Sequence, residues 1–115
     1  SKGLVKNGDY LILSEEAFLN DFANGVEPIK ARQLYAVQQP NVATLSPNAR
    51  TTLAAWRSKP SWYAISKQDR TINPDLERFM AKRMNATTIE IDAGHLSLVS
   101  HVPEVSNLVL QATAA

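Results

Sequence analysis

The sequence predicts an α/β chain: two late strands lying parallel with flanking helices, preceded by a mainly helical segment. Three observations lead there. After Pro60 the pattern runs strand, loop, helix, strand, loop, helix, the alternation expected of a parallel sheet covered by helices. Before Trp56 the chain offers one short apolar run and then two stretches with helical start signals. With 115 residues, 44% of them hydrophobic and 20% charged, it can bury one modest core but not several. The change of texture around residues 56–60 divides the chain into residues 1–56 and residues 57–115.

The first element is a strand. Asn7-Gly8-Asp9 is a turn signal, and Tyr10 to Leu13 is a compact apolar run bounded by it and by Ser14. Ser14 then caps a helix whose first turn carries Glu15 and Glu16, where negative charge complements the helix dipole. Phe18 and Phe22 share one face of that helix at i,i+4 spacing, and Asn24-Gly25 ends it. Pro28 opens a second helix running to about Val37, with Ile29, Leu34 and Tyr35 as its buried contributors. The Pro and Asn content from Gln38 to Asn48 predicts an irregular crossing segment.

Beyond the boundary, Trp62 to Ser66 reads as strand. Asn73-Pro74 supplies a helix cap and a proline at the first helical position, and Leu76, Phe79, Met80 and Arg83 follow at helical spacing. Thr87 to Ile91 is a second strand of β-branched character. Pro103 begins a closing helix with Val105, Leu108 and Val109 as its apolar stripe. The loops at residues 67–72 and 92–100 should then leave the sheet together at its carboxyl edge, where open α/β sheets place their ligands and chemistry.

Charge and composition exclude several roles. Lys+Arg 12 against Asp+Glu 11 leaves a formal net charge of +1, which gives no electrostatic support for binding nucleic acid or an anionic membrane surface. Without a cysteine there is no disulfide, thiolate zinc site or cysteine nucleophile. The longest apolar runs are too short to span a bilayer, and Ser1-Lys2-Gly3 carries no signal-peptide pattern, so the chain is expected to be soluble. No cofactor-binding motif is present, and two histidines with Asp92 nearby do not make a recognised metal-ligand set.

The two loops hold a chemically suggestive pair, Asp69 after the first late strand and His95 after the second. If the strands are parallel neighbours, both side chains leave the same edge. A carboxylate accepting from the Nδ1–H of a histidine fixes its tautomer and stabilises the imidazolium that forms when Nε2 takes a proton from a nucleophile. From spacing alone, Asp69 reads equally as a solvated loop acid paired with Arg70 or capping the next helix, and His95 as a core or helix-edge histidine. Gly94, a tight backbone position at a strand end, favours the site reading.

The stretch from Lys59-Pro60-Ser61-Trp62 through Asp69-Arg70-Thr71-Ile72-Asn73-Pro74 to Arg83 resembles the late part of small α/β-fold hydrolases, the esterase-like relatives of plant methylesterases and hydroxynitrile lyases. Ile89-Glu90-Ile91-Asp92-Ala93-Gly94-His95-Leu96-Ser97 resembles the segment that carries that family's histidine. Gly8-Asp9-Tyr10-Leu11 with Glu16 to Phe22 is similar to the cap over its active site. The resemblance implies a partial α/β-hydrolase fold, with residues 1–56 as a cap-like segment and residues 57–115 as the carboxyl-terminal part of the core. It also implies a triad acid at Asp69, a base at His95 and a small acyl or ester substrate.

The nucleophile of that family sits on a G-x-S-x-G elbow and precedes the acid and the base in chain order. None of the four glycines, Gly3, Gly8, Gly25 and Gly94, brackets a serine at that spacing. The chain is therefore expected to be inactive alone, and to need an amino-terminal half or a further copy of itself to cover an unpaired strand edge. The other readings are a non-catalytic interaction module with vestigial Asp69 and His95, and a lyase on the same fold. His101, a rival for the base role, sits beside a helix-opening proline and reads as structural, and Trp56, Trp62 and Tyr63 read as core or strand packing or as facing the substrate. Lys67 and Arg70 read as solvated or as lining an anionic pocket, and Phe18, Phe22 and Tyr35 as helix packing or an acyl pocket. Ser14, Ser46, Ser97 and Ser100 lack the elbow context of a nucleophile.

Overall fold

Two small sheets organise the chain. The computed structural model describes residues 3–43 and 50–115, and Ser46 lies outside them. β1 (Leu4–Asn7) and β2 (Tyr10–Leu13) form an antiparallel hairpin with Leu4 opposite Leu13 and Asn7 opposite Tyr10. Gly8 turns the chain at φ 59, the left-handed region that glycine enters without Cβ strain. β3 (Asn41–Val42) adds to the other side of β2. The expected turn and strand are both present. β3 is an addition within the segment expected to be irregular, and β1 an addition where no element was expected.

Ser14 caps α1 (Glu15–Ala17), its Oγ accepting from the Ala17 N–H at 3.2 Å. The helix then widens. Phe18–Phe22 forms a π-turn in which the Ala23 N–H reaches back to the Phe18 carbonyl at 2.7 Å, so the helix ends before the expected Asn24-Gly25. Phe18 is buried and contacts both the Phe22 ring at 5.0 Å and the Tyr35 ring at 5.6 Å between centroids. Such aromatic contacts add about 0.5–1.5 kcal/mol each to the burial of the rings.

α2 (Pro28–Ala36) begins at its proline, with the Glu27 carboxylate accepting from the Ile29 and Lys30 N–H groups. Those two bonds draw the Glu27 carboxyl below its usual range. Its buried residue is Ala31; Leu34 and Tyr35 pack against the Phe18 cluster, whereas Ile29 is 67% exposed. Ile29 follows the helix-opening proline on the first turn, and nothing in the described chain covers that face.

β4 (Trp62–Ser66) and β5 (Thr87–Ile91) are parallel and in register from Trp62–Thr87 to Ser66–Ile91. α3 (Pro74–Arg83) connects them, capped by Asn73 Oδ1, which accepts from the Asp75 N–H at 2.9 Å. It ends with Asn85 at φ 50, where Asn85 N–H donates to the Lys82 carbonyl and Ala86 N–H to the Ala81 carbonyl, a closure that turns the chain into β5. Its inner face is Glu77 and Ala81. Leu76 and Phe79 are 49% and 60% exposed, so the expected apolar stripe is rotated away from the sheet.

α4 (Ser97–Ser100) occupies part of the expected second loop, and α5 (Val102–Thr113) follows with Pro103 in its first turn. Leu108 is its buried anchor, Val105 is half-buried and Val109 is exposed. Both α3 and α5 pack on β4, whose Ile65 is buried together with Ile91 of β5. Among the described residues no helix is long and apolar enough to cross a membrane.

Candidate active site

Parallel register brings the ends of β4 and β5 level, and backbone bonds carry that alignment past the strands. Lys67 N–H donates to the Ile91 carbonyl at 2.9 Å and Gln68 N–H to the Ala93 carbonyl at 3.0 Å. The loop after β4 and the loop after β5 thus leave the sheet side by side. Asp69 and His95 sit on these two loops, and His95 Nδ1 lies 2.7 Å from Asp69 Oδ2.

The Asp69 carboxylate is enclosed on both oxygens. Its side chain is 3% exposed, against 24% for His95. Oδ1 accepts from the Thr71 N–H at 2.7 Å and the Ile72 N–H at 2.8 Å, which folds the loop around the acid and directs Oδ2 at the imidazole. Burial pushes the carboxyl up, but the bonds from Ile72, His95, Glu77 and Thr71 outweigh it and hold it below its ordinary 3.8. An ionised carboxylate only accepts, so in the neutral ring His95 Nδ1 carries the proton and donates it, and Nε2 keeps its lone pair.

The segment containing Asn24 braces this arrangement. Asn24 Nδ2 donates to the Gln68 carbonyl at 2.8 Å and Thr71 Oγ1 to the Asp21 carbonyl at 3.0 Å, tying the acid's loop to the π-turn and the residues that follow it. A side chain at Gly94 would collide with the Asn24 backbone oxygen and side chain, so Gly94 is required for close approach. Phe22 then lies against the imidazole at 4.9 Å between centroids. The same ring borders an apolar cavity of about 360 Å³, lined also by Leu13, Phe18, Leu34, Leu96 and Val99.

The remaining sequence candidates are more dispersed. His101 Nδ1 lies 2.9 Å from Ser100 Oγ at the start of α5. Lys67 lies 3.9 Å from Asp92, and Arg70 donates to the Asn20 carbonyl at 3.5 Å. Trp56 is covered by the guanidinium groups of Arg57 and Arg83, away from the loops. Ser97 is buried and lines the same open depression as Asp69 and His95, together with Trp62 and Tyr63. Tyr35 packs on Phe18 but is not among the residues lining the cavity.

Sequence reasoning missed Glu77. It is 3% exposed, and its Oε2 accepts from the Ser66 N–H at 2.9 Å at the end of β4. Burial, together with the neighbouring Asp69 carboxyl, pushes Glu77 above its ordinary 4.5 in spite of that bond. Early acids on a helix ordinarily complement its dipole in solvent. The available signal was an acidic residue three positions after a capping Asn-Pro pair, which is too common to single out.

Hydrogen-bonded acid and imidazole, a free ring nitrogen and an adjacent apolar cavity form a general-base arrangement for a proton leaving a nucleophile. No curated protein and no solved structure matches the chain. The alpha/beta hydrolase family model does match, over residues 4–107, and with the parallel strands and flanking helices described above the chain belongs to the alpha/beta hydrolase family.

Proposed function

We propose that the chain supplies the acid and base of a serine hydrolase acting on carboxylic esters or similar acyl substrates, on the esterase-like branch of the family that includes methylesterases and hydroxynitrile lyases. The observation that carries this is the 2.7 Å contact between His95 Nδ1 and the buried Asp69 carboxylate. His95 Nε2 takes the proton of a serine hydroxyl as its oxygen adds to the acyl carbonyl, and returns it to the departing alkoxide. Water then enters by the same exchange, losing its proton to Nε2 and displacing the serine. Asp69 keeps the ring oriented and stabilises its positive charge at each transfer. The cavity beside Phe22 accommodates the acyl group, and residues 1–56 act as the cap over a core formed by residues 57–115.

The serine comes from further polypeptide, because the sequence contains no G-x-S-x-G. The outer edge of β4 supports this reading, since among the described residues β4 pairs with β5 alone. Leu98, Val102, Val109 and Leu110 add apolar surface at 62%, 52%, 56% and 64% exposure. A complementing amino-terminal half or a second copy of the chain covers the β4 edge. Light scattering at micromolar concentration should give a mass above the 12.7 kDa of one chain.

The functional test is complementation. A family polypeptide carrying the early strands and the G-x-S-x-G elbow, added in trans or joined ahead of residue 1, should restore turnover of a p-nitrophenyl ester. His95→Ala should then reduce that turnover on the order of 10⁴-fold or more. Near-normal turnover in the variant would refute the assignment.

A further inference from the structure

Glu77 and Asp69 are both buried, they border the same depression, and each carboxyl acts on the titration of the other. Two neighbouring buried carboxyls do not both ionise readily, so the one with fewer donors keeps its proton. Asp69 already accepts from Thr71 N–H, Ile72 N–H and His95 Nδ1–H, which selects its ionised form. In Glu77, Oε2 accepts from the Ser66 N–H, while Oε1 is buried and meets no N–H or hydroxyl donor among the described residues. A buried acceptor with nothing to accept is unfavourable, and a proton on Oε1 removes that cost by turning the atom into a donor.

Resting on the reading of Asp69 and His95 as an acid–base pair, we propose that Glu77 is a positioning residue for it: its protonated carboxyl donates to Asp69 and holds that carboxylate against the imidazole. The arrangement spans three elements. β4 supplies the Ser66 N–H that orients Glu77, α3 supplies Glu77, and the loop after β4 supplies Asp69. The titratable groups facing Glu77 are Asp69, His95 and, from β4, Tyr63. Burial pushes the Tyr63 hydroxyl up and the two acids push it further, so Tyr63 stays neutral and does not compete for the proton. Glutamine can reproduce the arrangement, its carbonyl accepting from Ser66 and its amide donating to Asp69. Leucine cannot.

Carbon-13 titration of the side-chain carboxyls in the intact chain tests this. In the wild type, Glu77 should titrate above 4.5 and Asp69 below 3.8. Glu77→Gln should leave the Asp69 midpoint in place, and Glu77→Leu should move it upward by removing one donor. A Glu77 midpoint at or below its ordinary value, or an Asp69 midpoint unmoved by Glu77→Leu, would overturn the proposal. If the leucine variant does not fold, the wild-type titration and the glutamine variant decide. His95→Leu separates the two readings. An Asp69 midpoint that ignores this change removes the acid–base pair and the proposal with it. An ordinary Glu77 midpoint, with Asp69 still responding to His95→Leu, overturns the proposal alone.

Discussion

Replacing Asp69 with asparagine and with alanine should destabilise the chain by different amounts, because the two carboxylate oxygens perform separable tasks. Oδ1 accepts two backbone N–H groups, and Oδ2 accepts the His95 proton. Asparagine keeps an oxygen for Thr71 and Ile72 but turns an amide donor toward a donating Nδ1. The loss is one charge-assisted bond, about 1.5–3 kcal/mol. His95 is partly exposed and can turn to water, which favours the lower end. Alanine also leaves the two N–H groups without an acceptor. At the lower limit of about 1 kcal/mol each for such partly buried donors, the total reaches about 4 kcal/mol. Net stabilities are only about 5–15 kcal/mol, so the alanine variant should approach unfolding. Urea unfolding at neutral pH, with the slope checked for constancy, measures both. Alanine no worse than asparagine, or both within about 0.5 kcal/mol of wild type, the range of ordinary surface changes, would refute the claim that this carboxylate organises its loop.

Two further outcomes follow from the same geometry. Gly94→Ala forces Asn24 away from the strand end, and overpacking of this kind costs about 1–3 kcal/mol, measurable by thermal unfolding; an unchanged midpoint would mean that the Asn24 segment gives way freely. Asp69 and Glu77 act on stability in opposite pH ranges. The depressed Asp69 contributes stability that is complete above 3.8 and disappears as pH falls through its lower native value, so Asp69→Asn should flatten the acid limb of the stability profile. The raised Glu77 contributes stability that is complete below 4.5 and disappears as pH rises through its higher native value, so Glu77→Gln should flatten the opposite limb; profiles parallel to wild type would contradict both.

Where local chemistry decides the structure, the sequence is easy to read. Trp62 to Ser66 and Thr87 to Ile91 are apolar or β-branched runs between strong boundary signals, and both are strands with the expected bounds. Ser14 and Asn73 cap their helices because a short polar side chain can reach the next turn. Partner-dependent elements are harder to read. β1 is exposed along its length and is a strand by virtue of its pairing with β2, and β3 is two residues held on the edge of the same hairpin. The π-turn at Phe18–Phe22 has no periodicity distinct from that of an α-helix over so short a span. Helix faces fail for a related reason: α3 turns Glu77 inward and Phe79 outward, because the polar end of β4 and the Asp69 loop receive that face. Asp69 and His95 were legible as residues leaving one edge of a sheet, but their contact depends on the Thr71 and Ile72 bonds and on Gly94, which spacing does not reveal.

The tautomer of His95 tests the central claim most directly. Nitrogen-15 correlation spectra of the neutral ring distinguish the protonated nitrogen from the bare one. A proton on Nδ1, shielded from exchange by Asp69, with a bare Nε2 is the state that can accept a proton from a nucleophile. A proton on Nε2 with a bare Nδ1 would contradict the donation to Asp69 and leave His95 without the lone pair that a base requires.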